Sequence, residues 1–125
     1  MTEEFLATKP IYLQIVERIC QKIIREELKS GEKLPSVREM AIQSGVNPNT
    51  IQRTYGELER MDIVESRRGQ GTFVTENIDV LKQLKDQMKT EIVETYVKSM
   101  QELGFTKGEM LEGLENYLGW DKDDN

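Results

Sequence analysis

Signals for the end of one helix and the start of another fall within four consecutive residues near the middle of the sequence. Gly45 suits the left-handed position that follows a helix. Asn47 is a preferred N-cap, and Pro48 is a preferred first helical residue. One helix must therefore stop and the next must begin across Gly45-Val46-Asn47. A short turn of this kind, often containing glycine, joins the two helices of a helix-turn-helix, so the sequence predicts that motif here.

The two helices that precede this junction carry signals of their own. Residues 36–39 (SVRE) have the pattern of a capping box, which predicts that the second helix begins after Ser36. Pro10 suits the first turn of an earlier helix. Apolar residues then recur at four-residue spacing as far as Leu28, which predicts a helix of about five turns. We expect Ser30 and Gly31 to end that helix.

The third helix has two faces of different chemistry. Ile51, Tyr55 and Leu58 follow the spacing of an apolar core face. The opposite face holds amide and guanidinium groups and then Gly56. Arginine forks onto guanine, and asparagine or glutamine pairs with adenine, so this face suits DNA base edges. An ordinary solvated polar face is an equally good interpretation of the helix taken alone. The polar residues in question are Asn49, Gln52 and Arg53.

A β-hairpin is predicted directly after the third helix. Residues 63–67 and 72–75 read as two strands, and the loop between them contains two glycines, as a tight hairpin turn requires. A hairpin in this position is the wing of a winged helix-turn-helix. Its tip carries Arg67 and Arg68, which can reach a minor groove or a phosphate. The alternative is an ordinary hairpin with exposed arginines.

The composition excludes several classes of protein. Among 125 residues there is no histidine and one cysteine, so the usual zinc sites, Ser-His-Asp triads and Cys-His dyads are excluded. We expect no enzyme, no cofactor and no metal, and Cys20 fits a buried apolar position better than a redox sensor. No apolar run reaches the roughly 20 residues of a membrane span. The acidic N-terminus does not resemble a secretory signal, so we expect a cytoplasmic protein.

The last 50 residues carry all the net acidity. Residues 1–75 hold 11 basic and 11 acidic side chains, whereas residues 76–125 hold 6 and 12, for a net charge of −6. This part predicts a long helix over 78–103 and a second helix after the capping box at Thr106. Their apolar stripes need a partner, which favours a homodimer; folding back onto residues 1–75 is the alternative. The expected dimerisation residues are Leu81, Leu84, Met88, Ile92, Tyr96, Leu103, Met110, Leu114 and Tyr117.

Three blocks in order resemble the winged helix-turn-helix of the GntR family of bacterial transcription regulators. They are Gly31–Ala41 (GEKLPSVREMA), Val46–Tyr55 (VNPNTIQRTY) and Arg67–Val74 (RRGQGTFV), within a resemblance that covers Pro10–Thr75. Several family members have arginine where Pro48 stands, so that contact does not carry over. The resemblance implies operator contacts from Arg38, Asn47, Asn49, Thr50, Gln52, Arg53, Arg68, Gly69 and Gln70.

The short second part resembles the YtrA subfamily, whose members commonly repress genes, often near those for ABC transporters. The sequence thus predicts a mainly α fold with a small β-hairpin wing, with residues 1–75 as the DNA-binding domain and 76–125 as a helical dimerisation segment with an acidic tail. The expected partners are double-stranded operator DNA and a second copy of the chain; the identity of any small-molecule effector stays open. The alternative function is a winged-helix protein-interaction module that does not bind DNA.

Overall fold

The structure, a computed structural model, describes residues 4–119, and the acidic tail expected over 121–125 lies outside them. This part of the chain contains five helices and one two-stranded antiparallel sheet, so the mainly α fold with a β-hairpin is confirmed. No helix among these residues is both long enough and apolar enough to cross a lipid bilayer. The elements are α1 (Ile11–Ile24), α2 (Val37–Ser44), α3 (Pro48–Arg60), β1 (Val64–Arg67), β2 (Gly71–Val74), α4 (Ile78–Glu102) and α5 (Lys107–Leu118).

The chain divides into two compact units, Met1–Lys85 and Asp86–Asn125. The division falls ten residues beyond the boundary after residue 75 that the sequence suggested. Leu81, in the first turns of α4, lines a groove together with Ile23 and Leu28. The start of α4 therefore belongs with the first unit.

The first helix is shorter than the sequence predicted. It ends at Ile24, with Arg25 as its C-cap, and Glu26 takes a left-handed backbone conformation with φ +62°. The prediction of an end at Ser30 and Gly31 is wrong because the chain reverses earlier: the N–H groups of Glu27 and Leu28 both donate to the Lys22 carbonyl. Gly31 does adopt a left-handed φ of +79°, but it does so where its N–H donates to Val74 of β2.

The core of the first unit lies where α1, α2 and α3 pack together, with the hairpin against the end of α3. Burial of these apolar side chains is the main stabilising contribution to the unit. Each of the three helices contributes one side of an amphipathic pattern, as the sequence predicted. The buried apolar residues are Ile15, Val16, Ile19, Cys20, Ile23, Leu34, Met40, Ala41, Ile51, Tyr55, Leu58, Ile63, Val64 and Val74.

The hairpin pairs β1 with β2 in a register that runs from Val64 opposite Val74 to Arg67 opposite Gly71. Its strands lie within one residue of the predicted bounds. A third segment runs along β2. The sequence predicts that Leu34 and Pro35 are extended, because proline disfavours helix at the preceding position, but it does not reveal the pairing with β2. The contacts of this segment are a bridge between Lys33 and Phe73, and a hydrogen bond of 2.8 Å from the Leu34 N–H to the Thr72 carbonyl.

The second unit consists of the rest of α4 and all of α5. Thr106 caps α5: its hydroxyl accepts from the N–H of Glu109, whose carboxylate accepts from the N–H of Thr106. The capping box predicted from the sequence is therefore confirmed. Tyr96 of α4 donates from its hydroxyl to the Met110 carbonyl of α5 over 2.7 Å. This contact joins the two helices within the unit.

Candidate nucleic-acid interface

The turn between α2 and α3 has the capping geometry that the sequence predicted. Ser36 and Glu39 form the reciprocal capping box at the start of α2, and these hydrogen bonds from Ser36 lower the pKa of the Glu39 carboxyl. Gly45 ends α2 with a left-handed φ of +68°. The Asn47 side-chain oxygen then accepts from the Asn49 N–H at 2.8 Å, with Pro48 as the first residue of α3. Interactions between neighbouring residues thus define the end of α2 and the start of α3.

The inner face of α3 is anchored in the core. Ile51 and Leu58 are fully buried, and Thr54 is buried with its hydroxyl donating to the Thr50 carbonyl over 2.8 Å. Tyr55 donates from its hydroxyl to the Pro35 carbonyl over 2.7 Å, and burial raises the pKa of this phenol. Together these four buried side chains determine how α3 is rotated about its own axis.

The outer face of α3 therefore points to solvent. Asn49, Gln52, Arg53 and Gly56 are all exposed, and Thr50 at the edge of this face is half-buried. Arg38, on the first turn of α2, is exposed as well, and so is Asn47. The structure thus leaves the predicted polar groups of the helix-turn-helix accessible to a partner.

Arg53 makes one close contact with α1. Its guanidinium carbon lies 3.9 Å from the centre of the Tyr12 ring, a cation–π stack. From the sequence, Tyr12 belongs to the series of residues at four-residue spacing that forms the apolar face of the first helix, and nothing in that pattern predicts a contact with Arg53. The two residues are 41 positions apart in the sequence, so helical spacing could not reveal the contact.

The tip of the wing presents Arg68, Gly69 and Gln70 to solvent. The turn closes with a hydrogen bond of 2.8 Å from the Gln70 N–H to the Arg67 carbonyl. Lys33, which sequence reasoning missed, brings its Cε within 2.7 Å of where a Cβ at position 71 would lie, so Gly71 leaves room for it. The one sequence feature that could have pointed to Lys33 is its position within the Gly31–Ala41 block that carries the family resemblance. An additional cation therefore lies beside the wing.

Arg67 has intramolecular partners instead. Its guanidinium pairs with Glu65 at 2.9 Å and Glu76 at 3.3 Å and stacks on the Phe73 ring, with its carbon 4.1 Å from the ring centre. Hydrogen bonding to Glu65, followed by the contacts with Glu76, raises the pKa of Arg67 above its ordinary value. A DNA contact from Arg67 would have to replace these partners. That contact stays a prediction, and Arg68 is the more available arginine of the wing.

The apolar residues expected in the dimer interface fall into three groups. Leu84 and Met110 are buried within the chain, so their side chains stabilise it and offer little surface to a partner. Leu81, Met88 and Tyr96 are half-buried. Ile92, Leu103, Leu114 and Tyr117 are exposed, and Tyr117 reaches 90% exposure. Large exposed side chains that the sequence analysis left out of the interface are Val93, Phe105, Leu111 and Leu118.

Comparison with known proteins agrees with this geometry. The family model for bacterial regulatory proteins of the gntR family matches residues 11–74. The uncharacterized HTH-type transcriptional regulator YhcF of Bacillus subtilis is 57% identical over 117 residues, which cover 94% of this chain and 97% of YhcF. The HTH-type transcriptional repressor YtrA of the same organism is 36% identical over 101 residues, covering 76% of this chain and 78% of YtrA.

Two solved structures extend the comparison. A GntR family transcriptional regulator from Listeria monocytogenes superposes with a TM-score of 0.87 at 38% identity, covering 90% of this chain and 98% of that one. AraR(DBD) in complex with operator ORX1 has a TM-score of 0.54 at 30% identity, covering 60% of this chain and 93% of that one. These proteins are DNA-binding transcription regulators and not enzymes. Because the family model matches more than half of the sequence and YhcF aligns over almost its full length, this chain belongs to the GntR family of bacterial regulatory proteins, with YtrA among its relatives.

Proposed function

We propose that this GntR-family transcription regulator is a cytoplasmic repressor that binds a palindromic operator as a homodimer. The observation that carries the proposal is the exposed polar face of α3 beside an arginine-tipped wing. The core holds this face outward through Ile51, Thr54, Tyr55 and Leu58. Because the core holds α3 in place, its exposed side chains can contact DNA without a prior rearrangement of the helix, which favours specific binding.

The proposed DNA surface combines base-reading and phosphate-binding groups. Gln52 and Arg53 lie in the first half of α3, the part of a recognition helix that enters the major groove. Arg38 and Arg68 flank them on α2 and on the wing, where cations suit phosphate oxygens or the minor groove. We define the DNA surface as Arg38, Asn47, Asn49, Thr50, Gln52, Arg53, Arg68, Gly69 and Gln70.

The chain's charge distribution supports a division of roles. Residues 1–75 are neutral overall, and residues 76–125 carry the net charge of −6, so the second part is a poor neighbour for phosphates. Its exposed apolar side chains suit contact with protein. We therefore assign the surface around Ile92, Leu103, Leu114 and Tyr117 to pairing with a second copy. A twofold protein matches a palindromic operator.

The comparisons support the regulatory role. YtrA of Bacillus subtilis is named a repressor, and AraR(DBD) was solved bound to operator DNA. On the resemblance to the YtrA subfamily, we propose that the regulated genes include those of an ABC transporter. The protein partners and ligands of the relatives do not enter this proposal.

Selection of bound duplexes from a random DNA pool tests the DNA surface. We expect an inverted repeat whose half-sites lie about one helical turn apart, or a multiple of it. Arg53→Ala should reduce affinity for the selected site by about 1–3 kcal/mol if Arg53 reads a base. Arg25→Ala is the control, because this exposed arginine pairs with Glu27 outside the DNA surface. Equal affinity for selected and scrambled duplexes at every salt concentration would refute operator binding.

Sedimentation equilibrium tests the dimer. Tyr117→Asp should raise the dissociation constant of the dimer by at least about tenfold, since an exposed aromatic side chain in an interface centre commonly contributes over 1 kcal/mol. Asn116→Asp is the control, since it adds the same charge at an exposed neighbouring position. A wild-type chain that stays monomeric at high micromolar concentration would contradict the homodimer.

A further inference from the structure

The stack between Arg53 and Tyr12 joins a residue of the DNA surface to α1. The two helices pack against each other, and the Thr54 hydroxyl lies 3.4 Å from the Tyr12 carbonyl oxygen. The Tyr12 backbone is therefore held next to α3. Cζ of Arg53 lies over the Tyr12 ring, 3.9 Å from its centre, so the guanidinium is in contact with the face of the ring. The guanidinium has five N–H donors, and a contact of its carbon with the ring face leaves donors available to a partner.

A second feature keeps those N–H groups available. Glu57 lies four residues after Arg53 on α3, the spacing at which an ion pair commonly forms. Arg60 occupies Glu57 instead, with Nε donating to one carboxylate oxygen at 3.0 Å and a terminal nitrogen donating to the other. This hydrogen bonding lowers the pKa of Glu57, with smaller contributions from the charges of Arg60 and Arg53, so the carboxylate stays charged and its hydrogen bonds go to Arg60. Within residues 4–119 the structure shows no hydrogen bond from Arg53 to another side chain.

We propose that Tyr12 is a positioning residue for operator recognition: its ring holds the Arg53 guanidinium with the hydrogen-bonding edge directed away from the protein, ready for a base. This inference rests on the proposed function, because it assigns Arg53 to base reading. The gain comes from order established before binding. A long side chain that is already held in place loses less conformational freedom when it meets DNA.

Two substitutions separate the ring from the hydroxyl. Tyr12→Phe keeps the stack, so we expect an affinity for the selected operator within about twofold of wild type. Tyr12→Leu removes the ring, and with two protomers on one operator we expect the affinity to fall about five- to thirtyfold. Affinity for an unrelated duplex and the slope of the salt dependence should change little, since no phosphate contact is lost.

The same change in an Arg53→Ala background shows whether Tyr12 acts through Arg53. We expect no further loss when Tyr12→Leu is added to Arg53→Ala, because the effect requires the guanidinium. Equal losses in both backgrounds would overturn the inference, since Tyr12 would then contact DNA itself. Unchanged operator affinity in Tyr12→Leu alone would overturn it too, while leaving operator binding intact. A wild-type chain without operator preference would refute the proposed function and this inference together.

An NMR measurement on the free protein tests the stack without DNA. Ring current from Tyr12 should shift the side-chain methylene protons of Arg53 upfield in the wild type and in Tyr12→Phe. This comparison does not depend on the folding of Tyr12→Leu. Arg53 methylene protons at ordinary shifts in both proteins would show that the ring does not hold the guanidinium, and would overturn the inference.

Discussion

Replacing Gly56 with alanine separates the stability of α3 from its approach to DNA. Gly56 lies in the interior of α3 on the exposed face, and a Cβ built there meets no heavy atom within 4 Å apart from its two chain neighbours and the adjacent turns of its own helical backbone. Alanine is favoured over glycine in a helix interior by about 1 kcal/mol. We therefore expect the free energy of unfolding to increase by about 1 kcal/mol, measured by urea denaturation monitored by circular dichroism.

The same methyl group should weaken operator binding. Gly56 follows Gln52 by four residues and Arg53 by three, so it shares their face of α3. If the methyl group displaces one hydrogen bond per protomer, at about 0.5–1.5 kcal/mol each, a bound dimer loses about 1–3 kcal/mol. This corresponds to a fall in affinity of about 5- to 150-fold. Fluorescence anisotropy with the selected duplex measures it.

Gly108→Ala is the matched control. Its Cβ would lie at an ordinary distance of 3.8 Å from the Thr106 hydroxyl oxygen, in the first turn of α5 and outside the DNA surface. We expect no change in operator affinity from this variant. A stabilised Gly56→Ala protein that binds the operator as tightly as wild type would refute the close approach of this face to DNA. A destabilised one would refute the open environment of Gly56.

Three further predictions follow from side-chain contacts. Arg68→Ala should reduce the slope of log affinity against log salt by about 0.9 per lost phosphate contact, whereas Arg67→Ala should reduce the slope by less, because a phosphate contact from Arg67 would first have to replace Glu65 and Glu76; equal reductions would contradict this ranking. The folded state lowers the pKa of Glu39, so its charge stabilises the protein above the unfolded pKa of about 4.3 and ceases to do so as the pH falls through the lowered value. The stability difference between wild type and Glu39→Gln should therefore shrink in acid denaturation series, and a constant difference would refute the capping-box charge effect. Burial raises the pKa of the Cys20 thiol to about 11, so a thiol reagent at pH 8 should react with the unfolded protein far faster than with the folded one; similar rates would contradict its burial.

The elements predicted correctly from the sequence are those decided by neighbouring residues. Gly45, Asn47 and Pro48 specify the turn before α3 through their own backbone preferences and hydrogen bonds, and Ser36 with Glu39 does the same for α2. Such signals act within four residues, so a single sequence reveals them. The polar face of α3 was predictable for the same reason, because it follows from helical spacing alone.

The features that the sequence missed depend on the path of the folded backbone and on particular side-chain contacts. The predicted end of α1 was wrong because the apolar spacing continues to Leu28, although Glu26 takes a left-handed backbone conformation that ends the helix. The pairing of Lys33 with Phe73 of β2 was missed because it joins residues 40 positions apart. Within the wing, adjacent arginines look equivalent in the sequence, and the contacts with Glu65, Glu76 and Phe73 distinguish Arg67 from Arg68. These features depend on neighbours in the folded structure, and the periodicity of the sequence carries no information about those neighbours.

The separation of roles on α3 has an evolutionary consequence. Ile51, Tyr55 and Leu58 secure the helix from one side, while the exposed Asn49 and Gln52 side chains on the other side contribute nothing to the core. Mutations at these exposed positions therefore change the free energy of unfolding little and can alter which promoter is recognised. Gene duplication followed by drift on this outer side would let one scaffold diversify into paralogues with distinct regulons.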